Sequence, residues 1–164
     1  AKQRPRDLEL PVLVPSVGSA RAIASFDERA DALALSFWAG PLTIVLPRAE
    51  ASRDWELGGD AGTIGVRMPH HPLTLALLER TGPLAVSSAN RSGEPTPTTC
   101  EELDGVFGEV VAVYLCADEP LGQIASSVVA SLTWLFNQPA PERAKYADIT
   151  RELEMVALNL KNLK

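Results

Sequence analysis

Ser87-Ser88-Ala89-Asn90-Arg91-Ser92-Gly93-Glu94-Pro95-Thr96-Pro97-Thr98-Thr99 is the stretch of this chain best equipped to hold a polar ligand. It brings small hydroxyls, one amide and one glycine directly behind a short apolar run, Pro83-Leu84-Ala85-Val86. A loop of that make-up, leaving a buried strand, can surround phosphate or carboxylate oxygens with hydroxyls and backbone N–H groups without bulk. The plainer reading is a Ser/Thr/Pro-rich turn. Cations that could meet the same anions stand elsewhere: Lys2, Arg4 and Arg6 at the start, and Arg67 at the end of an apolar run. Their plainer readings are solvated terminal charges and a surface ion pair.

Other candidates carry less chemistry. His70-His71 resembles a metal pair, but adjacent residues on an extended chain point apart, and no cysteine or carboxylate spacing joins them. No metal site is expected. Gly58-Gly59 lacks phosphate-loop spacing and reads as a mobile loop. Thr43, in the middle of a β-branched run, reads as packing, and Trp38 as core rather than a base-stacking platform.

The elements that must position these residues follow from periodicity. Pro11-Val12-Leu13-Val14 reads as a short buried strand. Residues 16–36 carry Ala22, Ile23, Phe26, Ala30, Leu33 and Ala34 at near-helical spacing, which predicts one or two helices. After a turn at 38–41, Leu42-Thr43-Ile44-Val45-Leu46 predicts a central strand, and Thr63 to Arg67 another, stopped by Pro69. Residues 47–62 read as a loop. His71 to Arg80 predicts a helix, Leu84 to Ser87 a strand, and Cys100 to Phe107 a short helix with Thr99 as its cap. Val110 to Cys116 and Ser127 to Val129 read as further strands. Several connections are too short for crossover helices, so the class is α/β with a mixed sheet. Pro139-Ala140-Pro141 reads as a hinge, followed by a helix over 142–164 with Ile149, Leu153, Val156, Leu160 and Leu163 on one stripe.

The totals set bounds. A chain of 164 residues can bury a sizeable single core. Its formal charge of −6 argues against a general nucleic-acid binder, though not against a local basic patch. No apolar run reaches the ~20 residues needed to cross a bilayer, and the basic start leads into no signal-peptide core. The expected location is cytoplasmic. Cys100 and Cys116 lack metal spacing; one disulfide or two free thiols are open, and free thiols are the preferred reading.

Four segments together resemble the YrdC-like family of threonylcarbamoyl-AMP synthases. They are Lys2-x-Arg4-Pro5 leading into Pro11-Val12-Leu13-Val14, then Phe37-Trp38-Ala39-Gly40-Pro41-Leu42-Thr43-Ile44-Val45-Leu46, Thr63-Ile64-Gly65-Val66-Arg67-Met68-Pro69, and Ser88-Ala89-Asn90-x-Ser92-Gly93 with 95–98. Ser126-Ser127-Val128-Val129 is a weaker fifth. The resemblance covers residues 2–130. It implies a twisted mixed sheet flanked by helices, with the ligands in a concave, positively charged cleft. It further implies condensation of L-threonine, bicarbonate and ATP into threonylcarbamoyl-adenylate, with release of pyrophosphate. The product feeds the N6-threonylcarbamoyl modification of adenosine in tRNA.

Lys2 and Arg4 would then serve catalysis on the phosphate side. Thr63, Ser88, Asn90 and Thr96 would contact ATP with them, and Arg67, Ser126 and Ser127 would hold threonine. ATP enters as a substrate with Mg2+, and no tightly bound cofactor is expected. Implied partners are ATP, L-threonine, bicarbonate, tRNA or double-stranded RNA and tRNA-modification proteins, with a homodimer also open and no membrane. The family's opening Pro-Thr-Asp/Glu-Thr-x-Tyr-Gly-Leu segment has no counterpart here. An N-terminally incomplete YrdC-like domain over 1–138 and a helical extension over 139–164 are therefore expected. Ala39 replaces a family proline, Ser127 a threonine and Ala130 an aspartate. The alternatives are a catalytically impaired nucleotide- or RNA-binding relative, and an interaction protein using its C-terminal helix.

Overall fold

A computed structural model describes residues 8–116 and the strand at 127–130. Five strands form one mixed sheet in the order β4-β1-β3-β2-β5. Strands β1 (Val12–Leu13), β2 (Leu42–Pro47), β3 (Thr63–Arg67), β4 (Leu84–Ala85) and β5 (Ser127–Ala130) are joined in part by helices. These are α1 (Val17–Ile23), α2 (Glu28–Phe37), α3 (Pro72–Thr81) and α4 (Cys100–Phe107). Central β3 runs parallel to β1 and antiparallel to β2; β4 is antiparallel to β1, and β5 parallel to β2. The expected α/β class with a mixed sheet is what the chain forms.

Strand alternation divides the sheet into two faces. On one, Val12, Ile44, Leu46, Ile64 and Val66 are at most 1% exposed and pack with Ala20, Ile23, Ala30 and Ala34 of α1 and α2. Alanines on the helices let their backbones approach the sheet closely. The helices start where short polar side chains replace missing backbone partners. Ser16 accepts from Ser19 N at 3.1 Å, and Asp27 from Ala30 N at 2.8 Å. At α4, Thr99 and Glu102 close a reciprocal capping box, so the predicted cap is real. No helix among the described residues is long and apolar enough to cross a membrane.

Three expectations change. The run Val110 to Cys116 is not a strand: Gly108–Val110 forms a 3-10 turn, and 111–116 follow without a ladder. Val110, Val113 and Leu115 are 70%, 70% and 59% exposed, so β-propensity without a partner strand makes no sheet. The strand expected over 84–87 shortens to Leu84–Ala85. Cys100 and Cys116 are not free thiols but form a disulfide, with Cα atoms 5.9 Å apart. The irregular 111–116 segment folds back onto the start of α4, bringing the two together. The hinge at 139–141, the helix over 142–164 and the boundary after residue 138 lie outside the described residues.

Candidate functional site

The sheet face away from α1 and α2 carries the candidate chemistry. On β3 the alternation that buries Ile64 and Val66 puts Thr63, Gly65 and Arg67 together on this second face. Thr63 and Arg67 occupy its two ends, about 13 Å apart at the usual strand rise. Gly65 lies between them and, like Thr63 at 3% exposure, is buried. A Cβ there would meet Thr43 Cγ2 at 3.3 Å and Pro11 Cα at 3.8 Å. Thr43 is itself 3% exposed, in keeping with the packing role read from its position.

The serine-rich loop leaves the sheet at the Thr63 end. Pro11 lies beside Gly65, and Val86 N donates to Pro11 O at 2.9 Å, so these three residues form one row across β4, β1 and β3. Since β4 is antiparallel to β1, the chain beyond Val86 moves away from Arg67. Ser88 and Thr96 are exposed and Asn90 is half-buried. The Asn90 amide nitrogen donates to Glu94 O, while its Oδ1 is buried with no hydrogen-bond partner among the described residues. Gly93 supplies the positive φ (83°) of the turn. Arg91 ties the loop to α4 through Val106 O at 3.0 Å. Thr98 donates to Glu102 through its amide at 2.8 Å and its hydroxyl at 3.2 Å. These bonds, the Thr98 amide foremost, hold the Glu102 carboxyl below its ordinary range.

Beside this loop lies a cleft of about 380 Å³, walled by Ser87, Ser88, Leu103, Phe107, Val113 and Tyr114 among others. The disulfide and the Tyr114 hydroxyl, which donates to Gly108 O at 2.7 Å, hold its far wall.

Arg67 closes the other end. It is half-buried, and burial pulls its pKa down, but a guanidinium remains a cation. Its Nε donates to Gly40 O at 2.9 Å, which orients the group. The structure thus separates the residues expected to contact nucleotide, Thr63 and the 88–96 loop, from the residue expected to meet a carboxylate. Ser127 lies at the register position of Leu42. Lys2, Arg4 and Ser126 fall outside the described residues.

Two further polar residues, Glu9 and Arg48, were not singled out from the sequence. Glu9 sits at the Thr63 end, where desolvation pushes its carboxyl up to about 7 against the opposing pull of Arg48 and of a hydrogen bond from the Gly65 backbone. Gly59, with φ 62°, passes so close that a Cβ would lie 2.7 Å from Glu9 Cβ, so Gly59 packs against Glu9. Arg48 binds the carbonyls of Thr63 (2.7 Å), Trp55 (2.6 Å) and Ser52 (3.2 Å) and so shapes the 47–62 loop. The only sequence signal for Glu9 is an acid between two leucines just before a strand. Among the described residues no three His, Cys, Asp or Glu side chains gather to hold a metal. His71 instead accepts from Thr74 N through Nδ1 at 3.3 Å, as the cap of α3.

Comparison with known proteins points one way. The Sua5/YciO/YrdC family profile, described as telomere recombination, matches residues 1–140. The chain is 35% identical over 137 residues to the threonylcarbamoyl-AMP synthase of Pyrococcus abyssi, covering 82% of this chain and 40% of that protein. A Mycobacterium tuberculosis protein that carries the same name provisionally is 42% identical over 134 residues, covering 81% of this chain and 61% of its own length. The chain therefore spans 61% and 40% of the length of these two relatives, less than two thirds of each. The solved structure of P. abyssi Sua5 complexed with L-threonine superposes with a TM-score of 0.70 at 32% identity, covering 81% of this chain and 39% of that one. Escherichia coli YciO, at 22% identity and a TM-score of 0.64, shares the fold and covers 79% of this chain and 64% of its own.

Proposed function

Since this chain belongs to the Sua5/YciO/YrdC family, we propose that it is a threonylcarbamoyl-AMP synthase domain. It would join L-threonine, bicarbonate and ATP into threonylcarbamoyl-AMP and pyrophosphate, for the N6-threonylcarbamoyl modification of tRNA. The observation that supports this reading is the second sheet face: a hydroxyl-rich loop leaving at the Thr63 end and a half-buried arginine at the other, with Gly65 between them. That layout suits two anions laid end to end across about 13 Å.

Arg67 would take the threonine carboxylate, because a planar fork matches two oxygens. Ser126 and Ser127 complete the threonine side in this proposal. Ser88, Asn90 and Thr96, with Thr63, would hold the nucleotide, and the unpartnered Asn90 Oδ1 suits an N–H donor such as an adenine amino group. Lys2 and Arg4 would face the phosphates of ATP, which enters as its Mg2+ complex. The threonine amine and bicarbonate form a carbamate with loss of water. A carbamate oxygen then bonds the α-phosphorus as its bond to the bridging oxygen breaks, and pyrophosphate leaves. Both partners are anions, so the protein's task is to place them and offset their repulsion; no side-chain nucleophile is required.

Pyrophosphate release with ATP, L-threonine and bicarbonate, each omitted in turn, tests the reading. Release that needs all three is expected. Release indifferent to threonine, or none from a folded sample, would overturn it. Arg67→Ala should raise the threonine requirement while sparing ATP affinity.

A further inference from the structure

The segment 111–116 forms part of the cleft beside the serine loop, and its hold on the rest of the molecule is concentrated in one covalent bond. The segment pairs with no strand, and Val113 and Leu115 are 70% and 59% exposed, so apolar burial does little to keep it in place. Its described hydrogen bonds gather on Gly108 O, which accepts from the Tyr114 hydroxyl at 2.7 Å and from Val111 N at 3.4 Å. At its end, the disulfide ties Cys116 to Cys100, the first residue of α4, 16 positions back. Helix α4 itself contains no fully buried residue.

The cleft of about 380 Å³ is lined by Val113, Tyr114 and Leu115 of this segment together with Ser87 and Ser88 of the serine loop. The loop is in turn bonded to α4, through Arg91 to Val106 O and through Thr98 to Glu102. Loop, helix and wall thus form one linked unit while the disulfide is intact. Cys116 is exposed and Cys100 half-buried, so a thiolate arriving from solvent meets the Cys116 sulfur first.

We propose that Cys100–Cys116 is a reversible thiol–disulfide exchange site, through which a dithiol reductant releases the 111–116 wall and weakens nucleotide binding in the cleft. The identity of that ligand rests on the proposed function. One thiolate of the dithiol attacks the Cys116 sulfur, and Cys100 leaves as a thiolate. The second thiol of the reductant then closes the reductant's own disulfide and frees Cys116. Two electrons pass to the protein, and the two protons of the dithiol end on the two cysteines. The wall then keeps only its bonds to Gly108, and a bound nucleotide must reorder it. Arg67 ends β3 at the far end of the site, so the threonine side is spared.

Measurements on the full chain, oxidised and then treated with dithiothreitol, test this. Thiol titration should find both cysteines blocked before treatment and both reactive after it. In methyl nuclear magnetic resonance spectra, Val113 and Leu115 should shift and sharpen on reduction, while Ile44, Leu46 and Ile64 of the core stay still. By calorimetry the ATP Kd should rise about three- to tenfold, the cost of reordering one or two side chains. The L-threonine Kd should stay within about twofold, since its side of the site is not reordered. Cys100→Ser/Cys116→Ser should bind ATP as the reduced protein does and ignore the reductant.

Reactive thiols in the oxidised sample would overturn the proposal. So would core methyls that move on reduction, which would make the bond a staple of the whole fold, or Kd values for ATP and L-threonine that change together or not at all. Should the chain bind ATP yet release no pyrophosphate, the assigned reaction falls, and ATP affinity still decides the exchange site. Should it bind no ATP in either state, both ideas fall.

Discussion

Replacing Glu9 by glutamine isolates the one carboxyl among the described residues whose pKa desolvation raises. Its pKa rises from 4.5 to about 7 because desolvation outweighs the nearby Arg48 and the Gly65 hydrogen bond, while Asp60 adds repulsion. A raised carboxyl pKa means that the native state binds more protons than the unfolded chain between those two values. Stability therefore falls as pH climbs through that window and is flat above it. A fully dry group with such a shift would forfeit about 3 kcal/mol. Glu9 is only half-buried, so solvent screening reduces this to about 1–2 kcal/mol. Glutamine keeps an acceptor for Gly65 N–H and cannot ionise. Urea unfolding of both proteins between pH 5 and pH 8 is the assay, with the difference between them as readout, because other groups titrate equally in both. The two should be about equally stable at pH 5. At pH 8 the glutamine variant should be ahead by about 1–2 kcal/mol, several degrees in Tm for a chain of this size. Parallel curves, or a variant that is weaker at both ends, would refute the assignment of a desolvated Glu9.

Two other perturbations probe the loop that flanks the nucleotide side. Thr99→Ala removes one half of the capping box at α4 and should cost about 1 kcal/mol in urea unfolding, whereas Thr99→Ser should cost a few tenths. Reducing the Cys100–Cys116 disulfide, whose residues are 16 apart in sequence, should lower stability by about 3 kcal/mol. A Cys100→Ser/Cys116→Ser variant should be weaker at the outset and indifferent to a dithiol reductant. Equal sensitivity of both proteins would contradict the cross-link.

What could be read from residues alone differs between fold and site for a physical reason. The strands at 12–13, 42–47 and 63–67 and the helix at 100–107 announce themselves through local signals: β-branched runs, helical spacing and a capping pair. The 110–116 run gives the same local signal as a strand and fails, because pairing depends on a neighbour that no local pattern reports. The site is harder still, since its geometry comes from register. Thr63 and Arg67 are legible as motif residues, but their separation by Gly65 depends on how β1, β2 and β3 align. The same alignment puts Pro11 against Gly65 and Val86 on Pro11, and so sends the serine loop toward Thr63 and away from Arg67. Glu9 goes unread in the sequence, and Gly40 is read there only as a motif residue, because each acts through backbone groups, the Gly65 amide and the Gly40 carbonyl. Motif reading finds the side chains that could touch a ligand. The backbone atoms that aim them at it emerge only when the sheet is assembled, and that is where an altered residue such as Ala39 can stand in the motif while the Gly40 carbonyl still meets Arg67.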